Sequence, residues 1–196
     1  MMRARAAVVP VAIVALSMLV ACGKHEPTPA AANDRPSAVS GPPSAQSVIT
    51  AAVASARAEH KVVLIEFGAS WCVWCKSFNA FVHAPETEHV VGNNYVVVNL
   101  TVQERGDKKA LENPGGMDAM TVWGGEKSGL PFYVFLDADG KKIADSNAMP
   151  DGTNVGFPGN AKELQIFLHL LDTTAPRLTA PDRETIVRYL NTVVKG

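Results

Sequence analysis

The order Val62-Val63-Leu64-Ile65-Glu66-Phe67, then Gly68-Ala69-Ser70, then Trp71-Cys72-Val73-Trp74-Cys75-Lys76 constrains this chain more than any other stretch. The first segment is apolar except for Glu66 and reads as a strand buried on both faces. Gly68-Ala69-Ser70 is a short break, and a helix follows. Cys72 then falls at the helix start, where free backbone N–H groups and the helix dipole favour an anion. A thiolate is such an anion, and it is the reactive form of cysteine. Cys75 lies nearly one turn on, on the same side, close enough to close a small disulfide ring. In such a pair one sulfur attacks and the other resolves the mixed disulfide.

The N-terminus reads as a targeting segment and not as part of the fold. Arg3 and Arg5 form a short basic head, and 6–21 is an apolar run broken only by Pro10 and Ser17. That run is short for a membrane-spanning helix and suits a signal core. It ends in Leu19-Val20-Ala21-Cys22, which resembles a bacterial lipobox and implies that Cys22 is lipidated and becomes the first mature residue. A plain secretory signal with a chance cysteine, and an uncleaved anchor, are the competing readings. All three put the globular part outside the cytoplasm. The chain has 3 cysteines, so with Cys22 lipidated only Cys72 and Cys75 are left to pair, and no framework of structural disulfides is possible. About 175 residues remain after cleavage, enough for one domain with its own core. The net charge of -1 becomes slightly more negative once Arg3 and Arg5 leave, which gives no argument for a nucleic-acid or anionic-lipid partner.

The organisation follows from composition and period. Residues 1–21 are the leader, 22–45 a flexible Pro/Ala/Ser-rich tether, and 46–196 the folded domain. Val48, Ile49, Ala52, Val53 and Ala56 predict a helix over 46–59. Strand 62–67 and the cysteine helix, 72–82, come next, the helix with Phe78 and Phe81 inward. Pro85 opens a shorter helical piece to about 90, and 95–100 is a second strand. Between 101 and 129 the pattern is least legible: 107–112 makes one helical turn or two, Asn113-Pro114-Gly115-Gly116 breaks it, and 117–123 is a short helix. Strand 132–136, the turn Asp137-Ala138-Asp139-Gly140 and strand 141–145 make a hairpin. A long Gly/Pro/Asn-rich loop spans 147–159. Asn160 caps a helix with Leu164, Phe167, Leu168 and Leu171 on one face, and a final helix over 182–194 follows Pro181.

This order, β-α-β-α followed by a hairpin and a helix behind an extra N-terminal helix, together with the strand-CxxC-helix unit, resembles the thioredoxin family. The resemblance covers roughly 46–172. It is nearest to exported thioredoxin-like lipoproteins and to the periplasmic thioredoxin-like domain of transmembrane disulfide reductases, which share the WCxxCK form. It implies an α/β fold, a central mixed sheet flanked by helices, with the N-terminal and C-terminal helices as additions.

A CxxC pair is also half of a zinc site, but a structural site needs about four ligands and no second CxxC exists. His60, His83, His89 and His169 are scattered without ligand spacing. Trp71 before the pair and Lys76 after it match the thioredoxin motif. Glu66, an acid within an apolar strand, should have a raised pKa. By resemblance it stands where the family keeps a buried acid, usually Asp, and would pass protons to and from Cys75. The bland reading is an acid at the strand's end, held by a backbone N–H or solvated. Leu130-Pro131 matches the family's cis-proline position beside the disulfide, where the residue before the proline offers its backbone to the bound substrate chain. The resemblance also implies that Trp74, between the cysteines, lies at an exposed helix start and faces substrate. Trp71 joins it as a substrate-side candidate, although tryptophan is more often packed core. Trp123 receives no role, Met117 and Met120 read as core, and Asp137-Ala138-Asp139-Gly140 reads as a turn and not a calcium loop, because no closing glutamate follows.

The resemblance implies a membrane-tethered thiol-disulfide oxidoreductase of the bacterial cell envelope, acting as a reductase. Cys72 is the nucleophile, Cys75 the resolving thiol, Glu66 the proton relay and Pro131 part of the substrate groove. No cofactor or metal is implied, because the disulfide itself carries the electrons. Partners are client proteins with thiols or disulfides and a membrane thiol reductase as electron donor. Two alternatives remain at this level: a peptide-binding or chaperone-like module in which redox activity is secondary, and a peroxide-reducing enzyme on the same fold.

Overall fold

A computed structural model of the chain describes residues 41–194. The expected leader, Cys22 and most of the expected tether lie outside these described residues. The elements run α1 (Ala45–Glu59), β1 (Val62–Gly68), α2 (Val73–His83), α3 (Glu88–Asn94), β2 (Tyr95–Thr101), a 3-10 helix (Gly106–Leu111), α4 (Gly116–Val122), β3 (Phe132–Leu136), β4 (Lys142–Asp145), α5 (Ala161–Thr174) and α6 (Ala180–Val193). The sheet order is β2-β1-β3-β4. β1 pairs parallel with β2, and antiparallel with β3. β4 closes the hairpin against β3. This is the thioredoxin fold, a mixed four-stranded sheet with helices on both faces. No described helix is long and apolar enough to cross a membrane.

Every residue of β1 is buried, and the pleat divides them between two cores. Val63, Ile65 and Phe67 point with Phe132, Val134 and Leu136 towards α1 and α4. Val62 and Leu64 point with Tyr133 and Phe135 towards Phe78, Phe81 and Phe167 of α2 and α5. Glu66 shares the parity of Leu64, so its place in the strand assigns it to the α2 face. The expected helix 46–59 forms, capped by Ser44, whose side chain accepts from the Ser47 N–H, and ended by His60 in a left-handed conformation.

Two boundaries differ from the sequence expectation. The helical piece expected from Pro85 starts instead at Glu88 and runs to Asn94. The Ala84 carbonyl accepts from both Thr87 N–H and Glu88 N–H, and the buried Thr87 hydroxyl donates to the Phe81 carbonyl. Residues 85–87 therefore turn back onto the end of α2 and do not open a helix. The last helix begins at Ala180, two residues before the expected start, because Thr179 and Asp182 form a capping box with Pro181 in the first turn. Its Ile186 and Leu190 are fully part of the α2/α5 core, so α6 is built into the domain.

The loop expected over 147–159 has order of its own. Ser146 N–H donates to the Tyr133 carbonyl and Val155 N–H to the Ser146 carbonyl. Val155 and Phe157 sit in the main core, Phe157 against Phe78, Phe81 and Phe167.

Candidate active site

Cys72 is the N-cap of α2. Its backbone is extended, and its Sγ accepts the Cys75 backbone N–H at 3.0 Å. The two cysteines are joined as a disulfide with Cα atoms 5.3 Å apart. Ala69, Cys72 and Cys75 form a small buried cluster covered by Leu130. With Cys72 4% and Cys75 7% exposed, accessibility does not separate their roles. Their surroundings differ: a helix-start N–H is aimed at the Cys72 sulfur, a contact of the kind that stabilises a thiolate, while Cys75 lies on the Glu66 side.

Glu66 is 4% exposed, and its Oε1 has no hydrogen-bond partner. Burial pushes its carboxyl up to about 7, because removal from bulk solvent penalises the charged form. Gly68 makes the approach possible. A Cβ added there would lie 2.7 Å from Glu66 Oε1 and 3.3 Å from Cys75 Sγ, so the carboxyl and the sulfur flank one bare backbone position. The strand continues to Gly68, which places Glu66 inside it and not at its end. A cavity of about 180 Å³ joins Glu66 and Cys75 to Lys76, Asn79 and Asn99. Asn99 stands opposite Glu66 in the β1/β2 register.

The rim before Cys72 is held by residues from the stretch that sequence patterning left unread. Glu104 is 4% exposed, and its carboxylate accepts from Ser70 N–H at 2.6 Å and from the Ser70 hydroxyl at 2.9 Å. The Ser70 hydroxyl oxygen in turn accepts from Lys108 Nζ at 3.1 Å. These bonds, that from Ser70 N–H first, hold the Glu104 carboxyl below the usual range. Trp71 Nε1 donates to the Gln103 carbonyl at 2.8 Å, and the Arg105 guanidinium lies 4.2 Å from the Trp71 ring centroid. Gln103 is in a left-handed conformation. Nothing in the period or composition of 101–116 marks these residues.

On the other side, Leu130-Pro131 is cis. A cavity of about 580 Å³ opens there, with Trp74, Leu130, Pro131 and the 152–157 segment on its walls. Trp74 is 47% exposed and closes the far end, where its ring would lie 3.0 Å from a Cβ at Gly159. Of the residues singled out in sequence, Glu66, Cys72, Cys75, Leu130, Pro131 and Trp74 converge. Trp71 is beside them but is turned into the 103–105 contact. Trp123 packs edge-on against Phe67 in the opposite core. Among the described residues no three His, Cys, Asp or Glu side chains converge as a metal site.

Residues 44–138 match the thioredoxin-like family model. The chain is 32% identical over 98 residues to the thiol:disulfide interchange protein DsbD of Photorhabdus laumondii, across 48% of this chain and 15% of that protein. It is 24% identical over 103 residues to the disulfide bond reductase DsbH of Chlamydia pneumoniae, across 52% of this chain and 61% of that one. It thus spans less than two thirds of either curated relative. Among solved structures, a disulphide isomerase from Xylella fastidiosa superposes with a TM-score of 0.46 at 17% identity, over 76% of this chain and 90% of that one.

Proposed function

We propose, from the match of residues 44–138 to the thioredoxin-like family model, that this chain is an exported thiol-disulfide oxidoreductase that reduces client disulfides through Cys72 and Cys75. The Cys72 thiolate attacks one sulfur of a client disulfide, whose bond breaks and releases a client thiolate. Cys75, deprotonated, then attacks Cys72 Sγ. The mixed disulfide breaks, the Cys72–Cys75 bond forms, and the second client sulfur leaves. Two electrons pass to the client, and a thiol reductant, a membrane thiol reductase in this reading, restores the pair. Glu66 takes the Cys75 proton and returns one when the pair is recharged. A base titrating near neutrality suits that exchange.

The single observation that carries this reading is the position of an unpartnered, buried Glu66 carboxyl against Cys75 at the bare Gly68 backbone. Trapping tests it. Cys75→Ser should accumulate mixed disulfides with clients and Cys72→Ser should not. Faster alkylation of Cys75 than of Cys72 in the reduced protein reverses the roles. The direction of transfer follows from the dipeptide Val73-Trp74, which offers no cation to stabilise a bare thiolate. The helix start remains, worth at most about 2 kcal/mol. The couple should sit below roughly -200 mV with a Cys72 pKa above about 6. A potential near -120 mV, that of the strongest oxidants, would make the protein a disulfide donor instead. Anchoring at Cys22 is part of the same proposal. Cys22→Ser should release soluble protein or leave an uncleaved precursor, and unchanged lipid labelling of that variant would refute it.

A further inference from the structure

Asn154, in the segment between β4 and α5, makes three hydrogen bonds. Its Nδ2 donates to the Gly129 carbonyl at 2.7 Å and to the Pro131 carbonyl at 3.0 Å. Its Oδ1 accepts from Gly156 N–H at 3.0 Å. Both amide protons are therefore spent on the carbonyls that flank Leu130, and the oxygen fixes the segment that carries Asn154. The three contacts agree on one orientation of the amide. The segment is itself rigidly seated. Val155 and Phe157 are core residues, and Gly156 takes a left-handed conformation with its carbonyl accepting from the Tyr133 hydroxyl at 3.1 Å. A Cβ at Gly156 would already touch Pro131.

Leu130 is left in a different condition. Its own N–H and C=O enter no hydrogen bond with the described residues, and its side chain lies over the Cys72–Cys75 cluster. The two neighbouring carbonyls are occupied, so one donor and one acceptor stay open beside the disulfide. An extended peptide backbone meets that pair by adding as a strand.

We propose that Asn154 is a positioning residue that holds Leu130's backbone in register for an extended client segment, so that this chain distinguishes peptide disulfides from small disulfides through a residue of its 147–159 segment. The inference rests on the oxidoreductase reading above. By tethering both flanking peptide groups, Asn154 removes motion that a client would otherwise have to arrest on binding. A small disulfide without a backbone makes no use of it.

The test uses the full-length protein and two disulfides, a cystine-bridged extended peptide and 2-hydroxyethyl disulfide. Asn154→Asp keeps the size and the acceptor for Gly156 N–H but puts an acceptor where both carbonyls need a donor. Asn154→Ser is the second variant, in case the carboxylate disturbs the fold. The expected result, for either variant, is a rise in KM of about tenfold for the peptide disulfide with kcat little changed. The rate with 2-hydroxyethyl disulfide and the Cys72/Cys75 potential should stay at wild-type values. Equal losses on both disulfides, a shifted potential, or no loss on the peptide overturns the inference and leaves the oxidoreductase reading standing. A wild-type protein that exchanges neither disulfide overturns that reading, and this inference with it.

Discussion

Glu66 and Glu104 are both nearly closed to solvent, each 4% exposed, but one lies deep in the sheet and the other under a thin rim, and their carboxyls are driven in opposite directions. Glu66 stands in a central strand with no partner for Oε1, and burial raises it to about 7. Glu104 is covered only by the thin rim after β2, and donors from Ser70 meet it there, so its carboxyl is lowered. Surface exposure alone thus predicts neither shift; what decides is how deep the carboxyl lies and whether the fold supplies donors to its charged form. The one left unsatisfied lies against Cys75, and the satisfied one fixes the turn before Cys72. In the proposed mechanism this contrast lets one carboxyl exchange protons while the other stays ionised.

Glu66→Gln should break the comparison most. The folded pKa lies above the model value of 4.5, so the native state keeps a proton that the unfolded chain has lost. The wild type's stability should fall as pH rises from about 4.5 to 7, by at most about 3 kcal/mol, and level off above. The variant should lack that fall, in denaturant titrations of the oxidised protein. Kinetically, release of mixed disulfides should slow about a hundredfold while their formation changes little. Equal slowing of both steps would reduce Glu66 to a structural acid.

Gly68→Ala should give a smaller version of the kinetic effect without removing the acid. The added methyl meets the Glu66 carboxyl and the Cys75 sulfur together. The carboxyl is the end of a flexible side chain and can swing, so the fold should survive with a loss of about 1–2 kcal/mol. The displaced carboxyl should slow release roughly tenfold. Wild-type release in a folded Gly68→Ala protein would show that proximity at this point is not what matters.

The same contrast explains how far the sequence could be read. β1, α2 and the hairpin were legible because apolar period and punctuation decide them. Glu66 was legible because a lone acid interrupts an apolar run. Glu104 was not, since an acid in a polar, aperiodic stretch carries no signal until the chain folds back and Ser70 N–H arrives. Asn154 is the same case in a segment whose composition read as loop, although its core residues Val155 and Phe157 stand two apart there. The helix after Pro85 was misplaced because local proline preference was outweighed by a tertiary bond, the buried Thr87 hydroxyl on Phe81. Sequence period reports which face is buried; it does not report which donor will meet which acceptor across many tens of residues.

Glu104→Gln should show the opposite pH slope to Glu66→Gln. Its folded pKa is lowered, so its contribution is present above the unfolded carboxylate pKa and is lost as pH falls through the folded one. The wild type should exceed the variant in stability near neutral pH, and the gap should close in acid. Mixed-disulfide formation should slow by about two- to fivefold as Ser70 loosens, with release unaffected. A variant whose deficit persists unchanged into acid would show that shape, and not charge, holds the rim.

Arg105→Ala should have the smallest effect and sharpens what the rim does. The guanidinium lies over Trp71 at the surface, where the ring is 39% exposed. An exposed contact of this kind is worth about 0.5–1 kcal/mol, or roughly 1–4 °C in Tm for a domain of this size. Trp71 keeps its bond to the Gln103 carbonyl, so the ring should stay in place and mixed-disulfide formation should remain within about twofold of wild type. Tryptophan fluorescence should shift, because the cation leaves the ring face. If formation instead slows as much as in Glu104→Gln, the rim acts on Cys72 through the Trp71 side chain. If it does not, the cation on the ring is dispensable to the chemistry, and the rim's effect on Cys72 runs through the carboxylate on the Ser70 backbone.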